Sequence, residues 1–262
     1  MELVYRPVIA TVLSVYRVMG WKIDVTGEEH IPASGGGVIA SNHIGYLDFT
    51  FLGYAALPRK RLIRFMAKKE VFDHPVAGPL MRGMRHVPVD RFGRAGDALR
   101  AGVETLSKGE LIGMFPEGTI SRSFVPAEGK SGAARMAMDA GVPLIPAAVW
   151  GSQRILTKGR PRNWQRNVAI SVAYGPPVDY AAGEDPVAVT ERLMTSIRGL
   201  VSELEQAYPQ KPSGPEDSWW LPAHLGGSAP TVEESEEMAR VEQAERRARR
   251  KAERQRSKRD LP

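Results

Sequence analysis

The chain has 262 residues, of which 42% are hydrophobic and 25% are charged, and this is enough for one large domain or a domain with an appendage. It contains no cysteine, which excludes disulfides, thiolate nucleophiles and cysteine-based zinc sites and agrees with a cytosolic setting. The net charge of +6 favours an anionic partner such as nucleic acid, a phospholipid surface or a phosphorylated substrate. Residues 231–262 hold ten Lys/Arg and eight Asp/Glu, so the rest of the chain carries only +4. That excess does not by itself indicate nucleic acid.

The first 20 residues contain an apolar run at 7–16 between Arg6 and Arg17. This run is well short of the roughly 20 residues that span a bilayer, and no small-residue cleavage site follows it, so we expect neither a spanning helix nor a signal peptide. Two interpretations stay open. The segment is either an interfacial helix with Arg6, Arg17 and Lys22 at the level of the lipid headgroups, or a helix packed on its own domain.

Strand and helix patterns then alternate along the chain. The predicted strands are 21–27, 37–40, 61–67, 86–89, 110–115, 142–149 and 168–174, and the predicted helices are 49–57, 68–83, 94–108, 131–140 and 186–208. Pro75 and Pro79 should break the second of these helices. The alternation predicts an α/β fold with a largely parallel or mixed central sheet flanked by helices.

The character of the chain changes after Tyr208. Residues 209–230 hold five prolines and the pair Trp219-Trp220, which either anchors a loop at a membrane interface or covers a hydrophobic patch of the domain. From residue 231 the chain is acidic first and rich in arginine later, an order that suits the helix dipole. This tail is either a solvated helix or disordered, or its basic end is attracted to anionic lipid. The predicted organisation is a membrane-interfacial helix at 1–20, a catalytic-type domain at 21–208, a Pro/Trp-rich segment at 209–230 and a charged tail at 231–262.

A histidine and an aspartate lie five positions apart in the segment Ser-Asn-His-Ile-Gly-Tyr-Leu-Asp at 41–48. A strand-to-helix junction places His43 at the edge of a sheet, where α/β enzymes tend to locate their chemistry. Asp48 can accept the proton of one imidazole nitrogen and leave the other free to take a proton from a hydroxyl. The alternative is a helix-capping Asn42 beside a surface histidine, and spacing alone does not decide between them.

Charged side chains near two further strands are candidates for binding a phosphorylated polyol. Glu117 and Gly118 follow the strand at 110–115, and Gly118 lets the backbone approach a ligand closely. Arg122 and Arg91 offer forked cations suited to phosphate, and Lys130 precedes a helix. Each of these residues, taken alone, is equally compatible with a turn or a solvated charge.

Several other functions are excluded by the motifs. Gly-Lys-Ser at 129–131 is not a P-loop, because the position of the required upstream glycine is Phe124. There is no Gly-x-Ser-x-Gly nucleophile elbow and no His-Glu-x-x-His, and the other histidines lack metal-ligand spacing. We therefore expect no metal and no cofactor.

Four segments in order resemble one family. Asn-His-x4-Asp at 42–48, Gly-x5-Val-Asp-Arg within 83–91, Phe-Pro-Glu-Gly-Thr at 115–119 and Val-Pro-Leu-Ile-Pro at 142–146 are similar to the blocks of the 1-acyl-sn-glycerol-3-phosphate acyltransferases, which are glycerolipid and lysophospholipid acyltransferases. The resemblance covers about residues 20–205. Ser-Gly-Ala-Ala-Arg at 131–135 and Trp-Trp-Leu-Pro at 219–222 resemble actinobacterial members.

The resemblance implies a role for each matching position. His43 would be the general base that deprotonates the acceptor hydroxyl, and Asp48 would orient it, without a covalent acyl-enzyme. Arg91, Glu117 and Gly118 would bind the glycerol-phosphate end, and the block at 142–146 would shape the acyl site. The full predicted substrate-binding set is Asn42, Arg91, Glu117, Gly118, Thr119, Arg122 and Lys130. The family usually has arginine after Phe-Pro-Glu-Gly-Thr, whereas this chain has Ile120, and Arg122 is the candidate to replace that contact.

The implied activity is transfer of a fatty acyl group from acyl-CoA or acyl carrier protein, as co-substrate, to 1-acyl-sn-glycerol-3-phosphate in phospholipid biosynthesis. The expected location is the cytoplasmic side of the cell membrane, as a peripheral or monotopic protein in contact with membrane lipid and not with nucleic acid. The alternatives are acylation of glycerol-3-phosphate or another lysophospholipid, transacylation without CoA, and a non-catalytic lipid-binding protein on the same fold.

Overall fold

The computed structural model describes residues 4–90 and 95–259. The chain divides into two compact units. The first comprises the chain up to Ile120 together with Pro126–Lys211, and the second comprises Ser121–Val125 and the chain from Pro212 onward.

A seven-stranded sheet forms the centre of the first unit. Its strands are β1 (Lys22–Thr26), β2 (Gly37–Ser41), β3 (Ile63–Lys68), β4 (Val87–Val89), β5 (Leu111–Met114), β6 (Leu144–Trp150) and β7 (Ala169–Tyr174), in the spatial order β1-β7-β6-β2-β5-β3-β4. All neighbouring pairs are parallel except β6 and β7. The predicted mixed α/β fold is therefore confirmed.

The direction of the strands decides which loops meet. Because β1 and β7 run opposite to the other five strands, their amino ends lie at the edge where β2, β5 and β6 have their carboxyl ends. We call this edge the carboxyl edge. The residue pairs Trp150–Ser171 and Lys22–Ala169 mark it on one side of β2.

Eight α-helices accompany the sheet within the described residues: α1 (Tyr5–Met19), α2 (Asp48–Ala55), α3 (Lys69–Phe72), α4 (Ala77–Gly83), α5 (Ala95–Ser107), α6 (Gly132–Ala140), α7 (Pro186–Ala207) and α8 (Val232–Arg259). The segment 68–83 divides into α3 and α4 as its prolines predict, with Pro79 in the first turn of α4, where the missing N–H costs nothing. Asp185 caps α7 by accepting from the Val187 N–H, and Pro186 takes the first helical position.

The core lies on both faces of the central strands. Every residue of β2 and β6 is buried, which explains why their sequences are continuous apolar runs and not alternating patterns. The apolar side of α7, including Leu193, Ile197 and Val201, is buried as well.

Helix α1 is attached to the first unit along one side. The Tyr5 hydroxyl donates to the Ile63 carbonyl at 2.9 Å, and the Tyr16 hydroxyl donates to Thr50 Oγ1 at 2.6 Å. The opposite side is exposed and consists of Arg6, Pro7, Ala10, Thr11, Ser14, Val15, Arg17 and Val18. Packing on the domain and an accessible outer side are thus both present. Among the described residues, α1 and the other helices are each too short or too polar to span a bilayer.

The second unit contains the tryptophan pair and α8. Trp220 is completely buried, so its indole is not available to a membrane. Helix α8 carries its acidic residues first, and Arg240 pairs with Glu236 and Glu237 on the same helix.

Candidate active site

The loop that leaves β2 is fixed to the sheet by Asn42. Its side-chain oxygen accepts from the Val149 N–H at 2.8 Å, and its amide nitrogen donates to the Val149 carbonyl at 3.0 Å. Asn42 is 0% exposed. Asn42 was predicted to bind substrate, but both of its polar groups are engaged in the protein interior. Asn42 therefore holds the loop in this structure, and its contact with substrate stays a prediction.

His43 and Asp48 form the hydrogen-bonded pair that their spacing predicts. His43 Nδ1 lies 2.9 Å from Asp48 Oδ2. A carboxylate only accepts hydrogen bonds, so in the neutral form of the imidazole this contact places the proton on Nδ1 and leaves Nε2 with its lone pair. The His43 side chain is 19% exposed and that of Asp48 0%. The free nitrogen therefore belongs to a group that solvent or a substrate can reach.

Asp48 is held by its own set of donors. Its Oδ2 atom also accepts from the backbone N–H groups of Ile44 and Gly45 at 2.8 and 2.9 Å, and Oδ1 accepts from the Ser152 hydroxyl. These bonds stabilise the charged carboxylate and fix its direction toward the imidazole. Ser152 was missed by sequence reasoning. The only available signal was its position just after β6, whose carboxyl end lies beside that of β2.

Phe115 and Glu117 support His43 from the neighbouring strand β5. The Phe115 ring stacks on the imidazole, with centroids 4.0 Å apart and an angle of 12° between the planes. Glu117 Oε1 accepts from the His43 N–H at 2.9 Å, and Oε2 accepts from the Ala127 N–H at 3.0 Å. Glu117 was predicted to contact the acceptor. Since both oxygens bind backbone donors, we assign it to positioning the His43 backbone.

The environment of Glu117 changes its affinity for protons. Burial raises the pKa of Glu117 from 4.5 to about 8. The hydrogen bonds from the Ala127 and His43 N–H groups oppose this rise. The negative charge of Asp48 adds to it, and the positive charge of Arg198 opposes it. The folded protein therefore binds this proton more tightly than the unfolded chain does.

This shift predicts a pH dependence of stability. The free energy of unfolding should fall as pH rises from about 4.5 to about 8, because the unfolded chain releases the Glu117 proton first. In Glu117→Gln the unfolding free energy should fall less steeply with pH in this window, by about 1.4 kcal/mol per pH unit. Chemical denaturation at several pH values measures this slope.

His86, whose pKa is lowered by burial to about 4, contributes a slope of opposite sign in both proteins. Subtracting the Glu117→Gln values from the wild-type values removes this contribution. The exposed change Glu104→Gln is the control; equal slopes in wild type and Glu117→Gln would contradict the prediction.

Two lysines lie beside the Gly-Thr part of the motif at 115–119. Gly118 has φ +69°, and a Cβ atom at this position would lie 3.2 Å from Lys130 Nζ, so the ammonium group sits directly over the glycine. Lys158 Nζ donates to Thr119 Oγ1 at 3.2 Å. The structure thus brings the predicted residues Gly118, Thr119 and Lys130 together and adds Lys158. Sequence reasoning missed Lys158, although it starts a visibly basic stretch of the chain.

The remaining predicted residues are placed differently. Arg122 lies in the second unit, where its Nη1 atom is 3.4 Å from Glu242 Oε2 of α8. To bind substrate in place of the family arginine, as predicted, Arg122 would have to give up this ion pair with Glu242. Ile120, at the family position of that arginine, is buried. Arg91 lies outside the described residues. Within the part of the chain that is described, no group of three potential metal ligands occurs.

Comparison with known proteins identifies the family of the chain. The acyltransferase family model matches residues 22–150. The 1-acyl-sn-glycerol-3-phosphate acyltransferase of Bacillus subtilis is 32% identical over 206 residues, which are 75% of this chain and 97% of that protein. A chloroplast enzyme of the same name from Arabidopsis thaliana is 32% identical over 142 residues, which are 53% of this chain and 39% of that protein.

A solved structure shares the fold. The crystal structure of the 1-acyl-sn-glycerophosphate acyltransferase PlsC from Thermotoga maritima matches with a TM-score of 0.62 and 26% sequence identity, covering 74% of this chain and 77% of that one. Sequence motifs, fold and relatives thus lead to one conclusion: the chain is an enzyme of the acyltransferase family that includes these 1-acyl-sn-glycerol-3-phosphate acyltransferases.

Proposed function

We propose that the enzyme transfers a fatty acyl group from a thioester, acyl-CoA or acyl carrier protein, to the free hydroxyl of 1-acyl-sn-glycerol-3-phosphate. This acceptor is the substrate that the names of the relatives specify. The reaction takes place at a membrane surface, reached from the cytoplasmic side, where both thioester donors are made. The exposed outer side of α1 supports contact with that surface.

The observation that carries the proposal is the His43–Asp48 pair with Nε2 directed away from the carboxylate. In the reaction, His43 Nε2 takes the proton of the acceptor hydroxyl, and the hydroxyl oxygen forms a bond to the thioester carbonyl carbon. The tetrahedral intermediate then collapses, the C–S bond breaks, and the thiolate leaves with the proton from His43. Asp48 stabilises the imidazolium between the two steps. A positioned base of this kind contributes a factor of about 10²–10⁴ to the rate.

Lys130 and Lys158 are our candidates for the acceptor phosphate. Both ammonium groups lie at the Gly118-Thr119 turn, next to the position where Ile120 replaces the family arginine. A phosphate between them would receive charge-assisted hydrogen bonds. This arrangement supports retention of a phosphate-bearing acceptor despite Ile120.

The role of Lys130 is testable by its removal. Lys130→Met is expected to raise KM for the phosphate-bearing acceptor about tenfold with kcat little changed, because one exposed charge-assisted hydrogen bond of about 1.5 kcal/mol is lost. Steady-state kinetics on this acceptor and on uncharged monoacylglycerol measures the effect, which should be absent with monoacylglycerol. Arg135→Met removes an exposed charge from the following helix and is the matched control. An unchanged KM in Lys130→Met would remove this residue from the phosphate site.

Product analysis tests the function as a whole. The enzyme is offered one acyl-CoA, or the same acyl group on acyl carrier protein, with a panel of 1-acyl-sn-glycerol-3-phosphate, glycerol-3-phosphate and neutral lysophospholipids. We expect thiol release and diacylated product mainly with the first acceptor. Product from glycerol-3-phosphate or a lysophospholipid alone would redefine the acceptor, product from two lipids without a thioester would show transacylation, and binding without any turnover would show a lipid-binding protein.

A further inference from the structure

A strongly basic loop follows β6 and has no role in the proposed chemistry apart from Lys158. Residues 158–166 contain Lys158, Arg160, Arg162 and Arg166 and no acidic residue. We call this segment the basic loop. Arg162 and Arg166 are exposed, and Trp164 between them is 52% exposed. The basic loop thus combines four cations with a half-exposed aromatic side chain.

Two hydrogen bonds place the start of the basic loop beside residues 42–47, the loop that contains His43 and that we call the catalytic loop. The chain just before the basic loop is fixed by the Thr157 hydroxyl, which donates to the Ile44 carbonyl at 2.6 Å, and by the Leu156 carbonyl, which accepts from the Tyr46 N–H at 2.9 Å. The loop then leads to β7, which begins at the carboxyl edge. The basic loop therefore starts next to the residues that follow His43 and lies at the same edge of the sheet as His43.

The far end of the basic loop is joined to the end of α1. The Trp21 indole N–H donates to the Gln165 carbonyl at 2.8 Å, and the Asn167 N–H donates to the Met19 carbonyl at 2.9 Å. The Trp164 ring stacks on Trp21, with centroids 6.3 Å apart and 8° between the planes. Close by in the last turn of α1, Val18 is 63% exposed. The loop and the helix end thus form one continuous surface.

We propose that the basic loop and the C-terminal turn of α1 together bind an anionic lipid bilayer and set the active-site entrance against it. Lys and Arg near a membrane are attracted to anionic headgroups, tryptophan favours the interface, and Val18 supplies apolar area. An acidic protein partner would use the cations but has no need of exposed Val18 and Trp164. The inference rests on the proposed action at a membrane and names the surface and the lipid charge that it requires.

The test measures binding to vesicles without any substrate. Vesicles of phosphatidylglycerol mixed with phosphatidylcholine, and of phosphatidylcholine alone, are sedimented with the full-length protein at 0.1 M salt. The wild type should prefer the anionic vesicles. Arg162→Gln/Arg166→Gln should bind them about 30-fold more weakly, since each charge contributes about fivefold, and the difference should shrink at high salt.

Two controls keep the result specific. Lys60→Gln/Lys108→Gln removes the same charge just before β3 and β5, at the opposite edge of the sheet, and should bind like wild type. With brominated lipid in the vesicles, tryptophan fluorescence of the wild type should be quenched, and Trp164→Phe should lose most of that quenching. Turnover of a short-chain, water-dispersed acceptor should be unchanged in all of these variants.

Equal binding of wild type and Arg162→Gln/Arg166→Gln to anionic vesicles would overturn the inference. So would a defect limited to transfer from acyl carrier protein, which would assign the loop to an acidic protein. Absence of turnover in the wild type would defeat the proposed function alone, because the vesicle measurements contain no substrate and would still support the lipid surface.

Discussion

Replacing His43 by alanine is expected to abolish acceptor-dependent thiol release from acyl-CoA, with a loss of at least about 10²–10⁴ in rate, while the protein remains folded. The imidazole is the group with a free basic nitrogen at the centre of the site. Its side chain is partly exposed, so its removal leaves no large cavity in the core. Released thiol is measured directly, and far-UV circular dichroism with chemical denaturation reports the fold.

The matched control is His30→Ala. His30 lies between β1 and β2, in a short turn of the same unit, and makes no contact with the Asp48 network that we have described. This variant should turn over like wild type. Full turnover in His43→Ala would show that the acceptor is deprotonated by another group and would remove the proposed mechanism.

Replacing Asp48 by asparagine is expected to lower kcat/KM by about 10²–10⁴, because a neutral amide no longer stabilises the imidazolium that forms when His43 takes the proton. An amide cannot accept from every donor that now surrounds Asp48. If its oxygen keeps the bonds from Ile44 and Gly45, its NH₂ group faces Ser152; if it turns, the NH₂ group opposes two N–H donors. A loss of about 1–3 kcal/mol in unfolding free energy should accompany the change.

Steady-state kinetics and denaturation of Asp48→Asn measure both effects together. Asp24→Asn, an exposed change of the same type on β1, should alter neither quantity. Activity close to wild type in Asp48→Asn would mean that the orientation of His43 comes from the Phe115 stack and the Glu117 hydrogen bond alone.

The elements of the fold were predictable because their apolar patterns are local. The runs that became β2 and β6 are continuous in sequence because both faces of these strands are buried, and Gly109 and Gly141 mark the ends of two helices. The order of the strands was not predictable in this way. Each run is equally apolar, so nothing local indicates that β6 lies next to β2 or that β7 runs antiparallel to it.

In the candidate site, too, contacts between residues close in sequence were predictable and contacts between distant segments were not. His43 and Asp48 lie five positions apart in one short segment, so a hydrogen bond between them was a candidate from the sequence, and the structure contains it. Ser152, 104 residues away from Asp48, joins them only through the sheet. For Asn42 and Glu117 the residues were identified, but burial turned their polar groups toward backbone donors and acceptors. Lys158 reaches Thr119 from a strand connection that no motif marks.

The hydrogen bonds between Asn42 and Val149 have a consequence for motion. Ser41 and Ala147 form the last residue pair between β2 and β6, and beyond it the Asn42 side-chain amide bonds both backbone groups of Val149, two residues further along β6. The catalytic loop is thereby joined to a central strand, which opens only when the whole domain does. Fraying of this loop would have to break both hydrogen bonds to Val149, so the backbone that carries His43 is anchored to one of the buried central strands.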